Sequence, residues 1–284
     1  MIVVTGATGN IGRSLVGQLL AEGASVRALT RDPERAGLPS GAETVRADLT
    51  DPASLEPALN GADALFLNLA AGGGDAAAAV VEAAAKAGVR RIVLNSSIAV
   101  TDEPADEGDL LARMHGAVER VVRDSGLEWT FVRGGAYAAN ALQWAAEIRA
   151  GGVVRDPQPD AVFAPVHEED LAAVAAVALL DRTGAHAGQV YVVTGPEART
   201  RAEQVAEIGR VLGRETRLEV ISEEQAAEEY AIPNLSKEAM LELFRFFGTT
   251  VGTTPLITDT VQRVVGRPAR TFAQWVQDHA ADFR

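Results

Sequence analysis

Three glycines near the N-terminus have the spacing of a loop that binds phosphate. The sequence reads Gly6-Ala7-Thr8-Gly9-Asn10-Ile11-Gly12, directly after a short apolar segment and at the start of a helical pattern. The free N–H groups at the N-terminus of a helix can hold a pyrophosphate in such a strand–turn–helix unit. Gly6 would make the tight turn, Gly9 would let the backbone approach the phosphates, and Gly12 would let helix and strand pack closely. A glycine-rich turn without a ligand is the alternative. The predicted cofactor-binding residues of this segment are Gly6, Thr8, Gly9, Asn10, Ile11 and Gly12.

The end of the second apolar segment distinguishes between two dinucleotides. An acidic residue there suits the ribose 2′-hydroxyl of NAD(H), whereas an arginine suits the 2′-phosphate of NADP(H). The sequence places Arg31 at this end, followed by Asp32. A guanidinium can pair a phosphate through two N–H groups. We expect NADP(H) to be preferred, while Asp32 keeps NAD(H) possible. A merely solvated Arg31 is the alternative.

Residues after the next two apolar segments extend the predicted cofactor site. Asp48 and Leu49 follow the third segment and are expected at the adenine edge. Asn68, Leu69 and Ala70 come at the end of the fourth and are expected along the middle of the cofactor. The reason is that ligands bind outside the carboxyl ends of the strands in open parallel sheets.

The fold predicted for residues 1–133 is an α/β, Rossmann-type, doubly wound parallel sheet. Short apolar runs alternate there with helical patterns, which is typical of a parallel sheet covered on both faces. The predicted strands are 2–5, 25–29, 44–46, 64–68, 91–94 and 128–132, and the predicted helices are 11–22, 52–59, 75–87 and 109–124. Asp75 is expected to cap the third helix and Gly88 to follow its end in the left-handed region.

A smaller, interleaved C-terminal lobe is predicted beyond residue 133, where glycines and prolines break the alternation. Residues 160–194 are expected to return to the first domain, through a helix at 170–180 and a strand at 189–194. Residues 134–159 and 195–284 are expected to form a mostly helical substrate lobe. Its predicted helices are 201–212, 222–230, 236–247 and 271–282, with one strand at 217–221.

Composition excludes several function classes. The 284 residues include 26 basic and 39 acidic side chains, so the net charge of -13 argues against nucleic-acid binding. The absence of cysteine excludes disulfides, thiol nucleophiles and thiolate metal sites. The N-terminus does not read as a signal peptide, and the longest apolar run, 171–180, is too short to span a bilayer. We expect a cytoplasmic monomer or homodimer that binds a small molecule and no membrane.

The motifs together resemble the NmrA-like branch of the atypical short-chain dehydrogenase/reductases. The resemblance rests on residues 5–12, 47–51, 95–97 and 126–133 and on Arg31. It implies a relation to NADPH-dependent quinone and azo-dye reductases, to isoflavone-type reductases and to NAD(P)-sensing regulators without catalysis. It also implies that the C-terminal segments lie over the nicotinamide and select the substrate.

The chain departs from typical members of that superfamily in the catalytic Tyr-x-x-x-Lys pair. The tyrosines are Tyr137, Tyr191 and Tyr230, and none is followed four residues later by lysine. The resemblance places Leu111 at the position of the tyrosine and His115 at that of the lysine. The usual proton donor is therefore absent, which argues against ordinary carbonyl–alcohol interconversion.

His115, Ser97 and Tyr137 are the candidate catalytic residues. His115 lies four residues before Glu119 on a predicted helix, and a carboxylate at that spacing can orient and charge an imidazole. His115 could then hold the nicotinamide ribose or donate a proton. Ser97 matches the active-site serine of the family, and Tyr137, with Asn140 nearby, follows the sixth strand and could cover the nicotinamide. The alternatives are a polar helix residue, a loop-capping serine and a half-buried aromatic residue.

Two further segments contain residue types that could carry function. The run 167–170, His-Glu-Glu-Asp, has no second histidine at ligand spacing, so we expect no metal site and interpret Asp170 as a helix cap. The aromatic run 243–247 could wall an apolar pocket, with core or subunit interface as the alternative.

These residues predict an NADP(H)-dependent oxidoreductase without the Tyr-x-x-x-Lys relay. The acceptor would be flat and electron-poor, such as a quinone or an enone, because hydride addition to it leaves a weakly basic oxyanion. The alternative is a non-catalytic protein that senses NAD(P)(H).

Overall fold

The computed structural model describes residues 1–68, 73–101, 110–230 and 236–284. They form two compact, interleaved units. The first comprises Met1–Gly134, Glu168–Val193 and Thr260–Arg267. The second comprises Gly135–His167, Thr194–Asp259 and Pro268–Arg284.

Strands and helices alternate over the first 134 residues, whereas strands or helices often follow one another directly in the rest of the described chain. The strands are β1 (Ile2–Val4), β2 (Val26–Thr30), β3 (Glu43–Arg46), β4 (Ala64–Leu67), β5 (Arg91–Ser97), β6 (Glu128–Gly134), β7 (Val153–Asp156), β8 (Val162–Phe163), β9 (Gln189–Val193), β10 (Arg199–Thr200) and β11 (Arg217–Val220). The helices are α1 (Asn10–Ala21), α2 (Pro52–Leu59), α3 (Gly73–Lys86), α4 (Leu110–Arg123), α5 (Ala145–Gly151), α6 (Glu168–Leu180), α7 (Arg201–Leu212), α8 (Glu223–Glu229), α9 (Lys237–Gly248), α10 (Thr260–Val265) and α11 (Phe272–Asp278).

The first unit is built on a parallel sheet. Within the described residues, seven strands pair in the order β3-β2-β1-β4-β5-β6-β9. Every neighbouring pair is parallel. The order reverses between β1 and β4, so the carboxyl ends of these two strands flank the crevice where ligands bind in such sheets. The predicted α/β, doubly wound fold is confirmed.

The core of this unit explains why the apolar runs became strands. The side chains of β4 are all buried, and Val3, Leu65, Leu67, Ile92 and Leu94 pack in one cluster with α2 and α3. Strands buried on both faces need continuous apolar sequence. Such a continuous apolar run can be recognised as a buried strand from the sequence.

Several predicted boundaries require correction. β5 extends to Ser97, so residues 95–97 end the strand rather than follow it. Asp75 lies inside the first turn of α3, and Asp170 inside that of α6, so neither is the N-cap residue. Asp170 is fully buried, and its carboxylate pairs with Arg267 at 2.6 Å. Gly88 does take the predicted left-handed conformation, with φ +82°.

The second unit contains the short strands β7, β8 and β10, which the sequence analysis missed, and β11, which it predicted at 217–221. β7 pairs with β11 in parallel, and β8 pairs with β10 antiparallel. One apolar cluster includes Trp144, Ile208 and Trp275, and another includes Met240 and Phe244. Reciprocal capping boxes begin α7, α8 and α11. The segment at 260–267, predicted to lie in the C-terminal lobe, instead belongs to the first unit by its contacts.

The helices within the described part of the chain include none that is long and apolar enough to cross a membrane.

A substrate-binding role for the second unit stays a prediction.

Candidate active site

The turn after β1 is tied to the end of β4. Thr5 Oγ accepts a hydrogen bond of 2.8 Å from the backbone N–H of Asn68, and it donates to the carbonyl of Phe66 at 3.1 Å. Gly6 has φ +60°, and a Cβ added there would lie 3.1 Å from Nδ2 of Asn68. The left-handed backbone and the close amide group both favour glycine at this position. The predicted tight turn at Gly6 is present.

Gly12 is required by packing between the turn and α1. A Cβ on Gly12 would lie 2.1 Å from the carbonyl oxygen of Gly6 and 2.8 Å from Cα of Ala7. Real side chains do not tolerate such distances to backbone atoms. The close approach of helix and turn therefore follows from this glycine.

Gly9 has no comparable structural reason to be glycine. It is the N-cap residue of α1 with φ -76°, which any residue adopts, and a Cβ would approach only the Gly6 carbonyl oxygen, at 3.4 Å. Thr8, Gly9 and Asn10 are exposed. The missing side chain therefore leaves open space on the outer side of the turn.

The first turn of α1 is suited to an anion. No side chain caps this helix end, and its first turn contains no acidic residue. Uncapped N–H groups and the positive end of the helix dipole both attract phosphate. The open space at Gly9 lies directly beside these groups, so the residues present fit a pyrophosphate.

Arg31 follows the last residue of β2 and is exposed. Asp32 has partners of its own: its backbone N–H donates to Oγ1 of Thr30 at 3.2 Å, and its carboxylate lies 3.8 Å from Nε of Arg35. The acidic side chain that could select NAD(H) thus has a basic neighbour. The arrangement suits a phosphate better than a hydroxyl at this end of the site.

Asp48 and Leu49 have local partners. The Asp48 carboxylate accepts from the backbone N–H of Thr50 at 2.9 Å and from its hydroxyl at 2.7 Å. These hydrogen bonds, with a smaller contribution from the Arg31 charge, hold the pKa of Asp48 below its usual range. Leu49 packs against the core of the first unit. A contact of either residue with adenine stays a prediction.

Amide side chains meet between the ends of β4 and β5. Nδ2 of Asn95 donates to Oδ1 of Asn68 at 3.3 Å. This contact places Asn68 beside both the glycine turn and β5, and its contact with the middle of the cofactor stays a prediction. Leu69 and Ala70, the other residues predicted there, lie outside the described residues.

A buried ionic network joins β5, β6 and α4. Glu119 accepts two hydrogen bonds from Arg133, at 2.9 and 2.7 Å, and one from the hydroxyl of Ser96 at 2.6 Å. The exposed fractions are 3% for Glu119, 6% for Arg133 and 0% for Ser96. Ser96 and Arg133 are register partners across β5 and β6. Sequence reasoning missed this network, because no local spacing signals a pair formed between a helix and a later strand.

His115 lies one turn before Glu119 on α4. A helix that connects neighbouring parallel strands runs against them, so this turn is nearer the carboxyl edge of the sheet. Burial lowers the pKa of His115, and the Glu119 charge opposes this only as a smaller effect. The Glu119 carboxylate is bonded to Arg133 and Ser96, so an orienting role of Glu119 toward the imidazole stays a prediction. A lowered pKa favours the neutral imidazole at pH 7.

Ser97 ends β5, next to Ser96. Its Oγ accepts a hydrogen bond of 3.2 Å from the backbone N–H of Ala99, which is the loop-capping arrangement considered above. The hydroxyl is half-buried and retains its own proton for donation. Contact of Ser97 with a substrate stays a prediction.

Tyr137 belongs to the second unit. It is half-buried, forms a β-bridge with Val166, and directly precedes the 3-10 helix Ala138–Trp144. Asn140 is exposed within that helix. The predicted role of Tyr137 over the nicotinamide stays a prediction.

The other segments weighed for function have structural partners. In the run 243–247, Phe244 is buried in an apolar cluster, whereas Phe246 is 40% exposed. The described residues contain no group of three or more histidine, aspartate or glutamate side chains arranged to hold a metal ion.

The comparisons with known proteins agree with this geometry. The sequence profile of a family described as NAD(P)H-binding matches residues 6–182. The chain is 44% identical to a (4-alkanoyl-5-oxo-2,5-dihydrofuran-3-yl)methyl phosphate reductase of Streptomyces griseus, over 100% of this chain and 99% of the relative. It is 35% identical to an NAD(P)H azoreductase of Xenophilus azovorans, with the same coverage of 100% and 99%.

A solved structure extends the likeness to three dimensions. It is an NADPH-dependent quinone oxidoreductase of Escherichia coli in complex with NADPH, which superposes with a TM-score of 0.80 at 27% identity, over 99% of this chain and 100% of the other. The matched profile begins at Gly6, the first glycine of the turn, and ends within the segment 168–193 that returns to the sheet. The chain belongs to the NAD(P)H-binding family.

Proposed function

We propose that this protein is an NADPH-dependent reductase of a small, conjugated carbonyl compound. The observation that carries the proposal is the uncapped N-terminus of α1 beside Gly9, where a side chain would have room and glycine is not needed by the fold. The exposed Arg31 at the end of β2 favours the 2′-phosphate of NADPH. Three relatives at 27–44% identity are named as reductases or oxidoreductases.

The acceptor class follows from the chemistry available at the site. The name of the Streptomyces relative describes a furanone ring whose C=C bond is conjugated with a carbonyl group. Such an alkene accepts hydride at the carbon far from the carbonyl, and the electron pair moves to oxygen as an enolate. A quinone behaves similarly and gives a hydroquinone anion. We therefore place an enone-type lactone first and a quinone second.

The chain's own residues would bind and orient rather than act as strong acids. When bound, the reduced nicotinamide supplies the hydride and leaves oxidised, so that two electrons and one proton reach the acceptor, followed by a second proton from water. Ser97 would donate its hydroxyl proton in a hydrogen bond to the acceptor oxygen. The neutral His115 would donate its ring N–H to the nicotinamide ribose. Tyr137 would cover the nicotinamide.

Steady-state oxidation of NADPH tests the proposal. The acceptors are an acyl-substituted unsaturated lactone, a panel of quinones and, as a control, a saturated ketone. We expect turnover with the lactone or a quinone and none with the ketone. Tight NADPH binding without turnover of any acceptor would contradict the proposal and favour the non-catalytic sensor.

Arg31→Ala is expected to weaken NADPH binding by about 1.5–3 kcal/mol, the range for a charge-assisted hydrogen bond, and to leave NADH binding nearly unchanged. The measurement is titration calorimetry with both dinucleotides. Arg90→Ala is the matched control, because Arg90 is exposed and directly precedes β5. Arg90 therefore lies at the amino ends of the parallel strands, whereas Arg31 lies at their carboxyl ends. Equal losses of affinity for both dinucleotides would show that Arg31 does not bind the 2′-phosphate.

His115→Ala is expected to weaken binding of both dinucleotides several-fold and to leave the shape of the pH–rate profile unchanged. An imidazole with a lowered pKa is charged only at acidic pH, so it contributes no proton at neutral pH. Rates measured between pH 5 and 9 with a quinone decide this. If His115 were the acid, the wild-type rate would fall as pH rises through the lowered pKa. The variant would then lack this fall in its pH–rate profile, and its rate would be lower by about 10²–10⁴.

The cytoplasmic location and the monomeric or homodimeric state stay predictions. Sedimentation of the purified protein and fractionation of the source cells would test them.

A further inference from the structure

We propose that Arg13 is a positioning residue that sets the preference for NADPH over NADH by holding the turn that carries Arg31. This inference rests on the proposed function, because it concerns the same cofactor site. Arg13 directly follows Gly12 in the first turn of α1. No sequence motif singled it out.

The guanidinium of Arg13 joins the glycine turn to the chain after β2. Nη1 donates to the carbonyl of Gly37 at 2.5 Å, and Nη2 donates to the carbonyl of Ala36 at 3.0 Å. Ala36 is buried, and Gly37 takes the left-handed conformation with φ +56°. One rigid fork therefore binds two successive carbonyl groups 23 and 24 residues away along the chain.

The segment held by Arg13 is the one that must meet the 2′-phosphate. It leaves β2 at Thr30, passes Arg31, and forms the 3-10 turn Pro33–Arg35 before reaching Ala36. At its start, the Asp32 N–H is bonded to Thr30. The segment is thus fixed at both ends, to the sheet and to α1, with Arg31 between them.

This geometry separates a positioning role from direct recognition. Both terminal nitrogens of Arg13 donate to backbone carbonyls, whereas Arg31 is exposed and forms no hydrogen bond or ion pair with the described part of the chain. Because the Arg13 guanidinium already binds two carbonyl groups, we infer that it affects the 2′-phosphate only through the position of Arg31. Its loss would therefore matter only while Arg31 is present.

A double-mutant cycle tests this inference. We expect Arg13→Met to weaken NADPH binding about tenfold and NADH binding less than about twofold. Arg13→Lys keeps the charge but lacks the fork, so a loss of about fivefold should remain. In the Arg31→Ala background, Arg13→Met should change NADPH binding by less than about twofold.

Hydrogen exchange of the cofactor-free protein provides a second readout. We expect Arg13→Met to speed exchange of the amides in residues 33–38 several-fold and to leave β4 unchanged. Losses that add in the double mutant would mean that Arg13 meets the phosphate itself, and unchanged exchange would mean that it does not hold the turn. Either result overturns the role of Arg13 and leaves the proposed preference for NADPH intact. Equal affinity of the wild type for NADPH and NADH overturns the proposed cofactor preference as well.

Discussion

Gly9→Val is expected to abolish binding of both NADPH and NADH while the chain still folds. The valine side chain would fill the open space beside the uncapped N–H groups of α1, where the pyrophosphate must lie. Both dinucleotides share the pyrophosphate, so both should bind at least about 1000-fold more weakly. The measurement is the shift of the thermal unfolding midpoint on addition of each dinucleotide, which disappears when binding is lost.

Two glycines of the same helix are controls for this prediction. Gly17→Val introduces the same side chain where nothing lies within 4 Å of an added Cβ, so fold and binding should persist. Gly12→Ala brings a Cβ to 2.1 Å from the Gly6 carbonyl oxygen, so we expect damage to the fold itself. A Gly9→Val variant that is still stabilised by NADPH would show that this turn does not hold phosphate.

The sheet and its glycine turn were predictable because their signals are local. Strands buried on both faces require continuous apolar runs, and the turn between β1 and α1 requires glycine at defined spacings. The predicted positions of Gly6 and Gly12 therefore agree with their backbone contacts. β9 was also recognisable, since it is a run of β-branched and aromatic residues that follows a helix.

Elements held by distant partners were not predictable. β8 and β10 contain two residues each, and they exist because they pair across 35 residues of intervening sequence. Such short segments carry no periodicity. Single-sequence patterns cannot show which of many short segments will meet, since register is settled by packing of the whole unit.

The same distinction applies to the candidate site. Arg31 could be predicted as a site residue because strand ends in this fold have defined neighbours, whereas Arg13 donates to carbonyls more than twenty residues away. Glu119 was noticed only for its spacing to His115, and its actual partners come from two different strands. The i,i+4 rule states which side chains can meet on a helix, but a buried cation nearby competes for the carboxylate.

The Glu119 network leads to the second large effect. Glu119→Ala would remove the carboxylate that accepts two hydrogen bonds from the buried Arg133 guanidinium and one from the Ser96 hydroxyl. Breaking a buried ion pair from one side is strongly destabilising, by about 3–5 kcal/mol. Glu119→Gln should cost nearly as much, since an amide can accept from Ser96 but carries no charge to balance Arg133. Urea unfolding followed by circular dichroism would measure the loss.

A paired replacement separates the ionic contribution from simple loss of packing. In Glu119→Leu with Arg133→Met, no buried charge is left unpaired, so we expect the double variant to be more stable than either single variant. Ser96 neighbours Ser97, so the single variants should also release the end of β5 and lower turnover beyond any loss of NADPH affinity. A double variant less stable than both singles would mean that the network contributes through packing, and the charge argument would then be wrong.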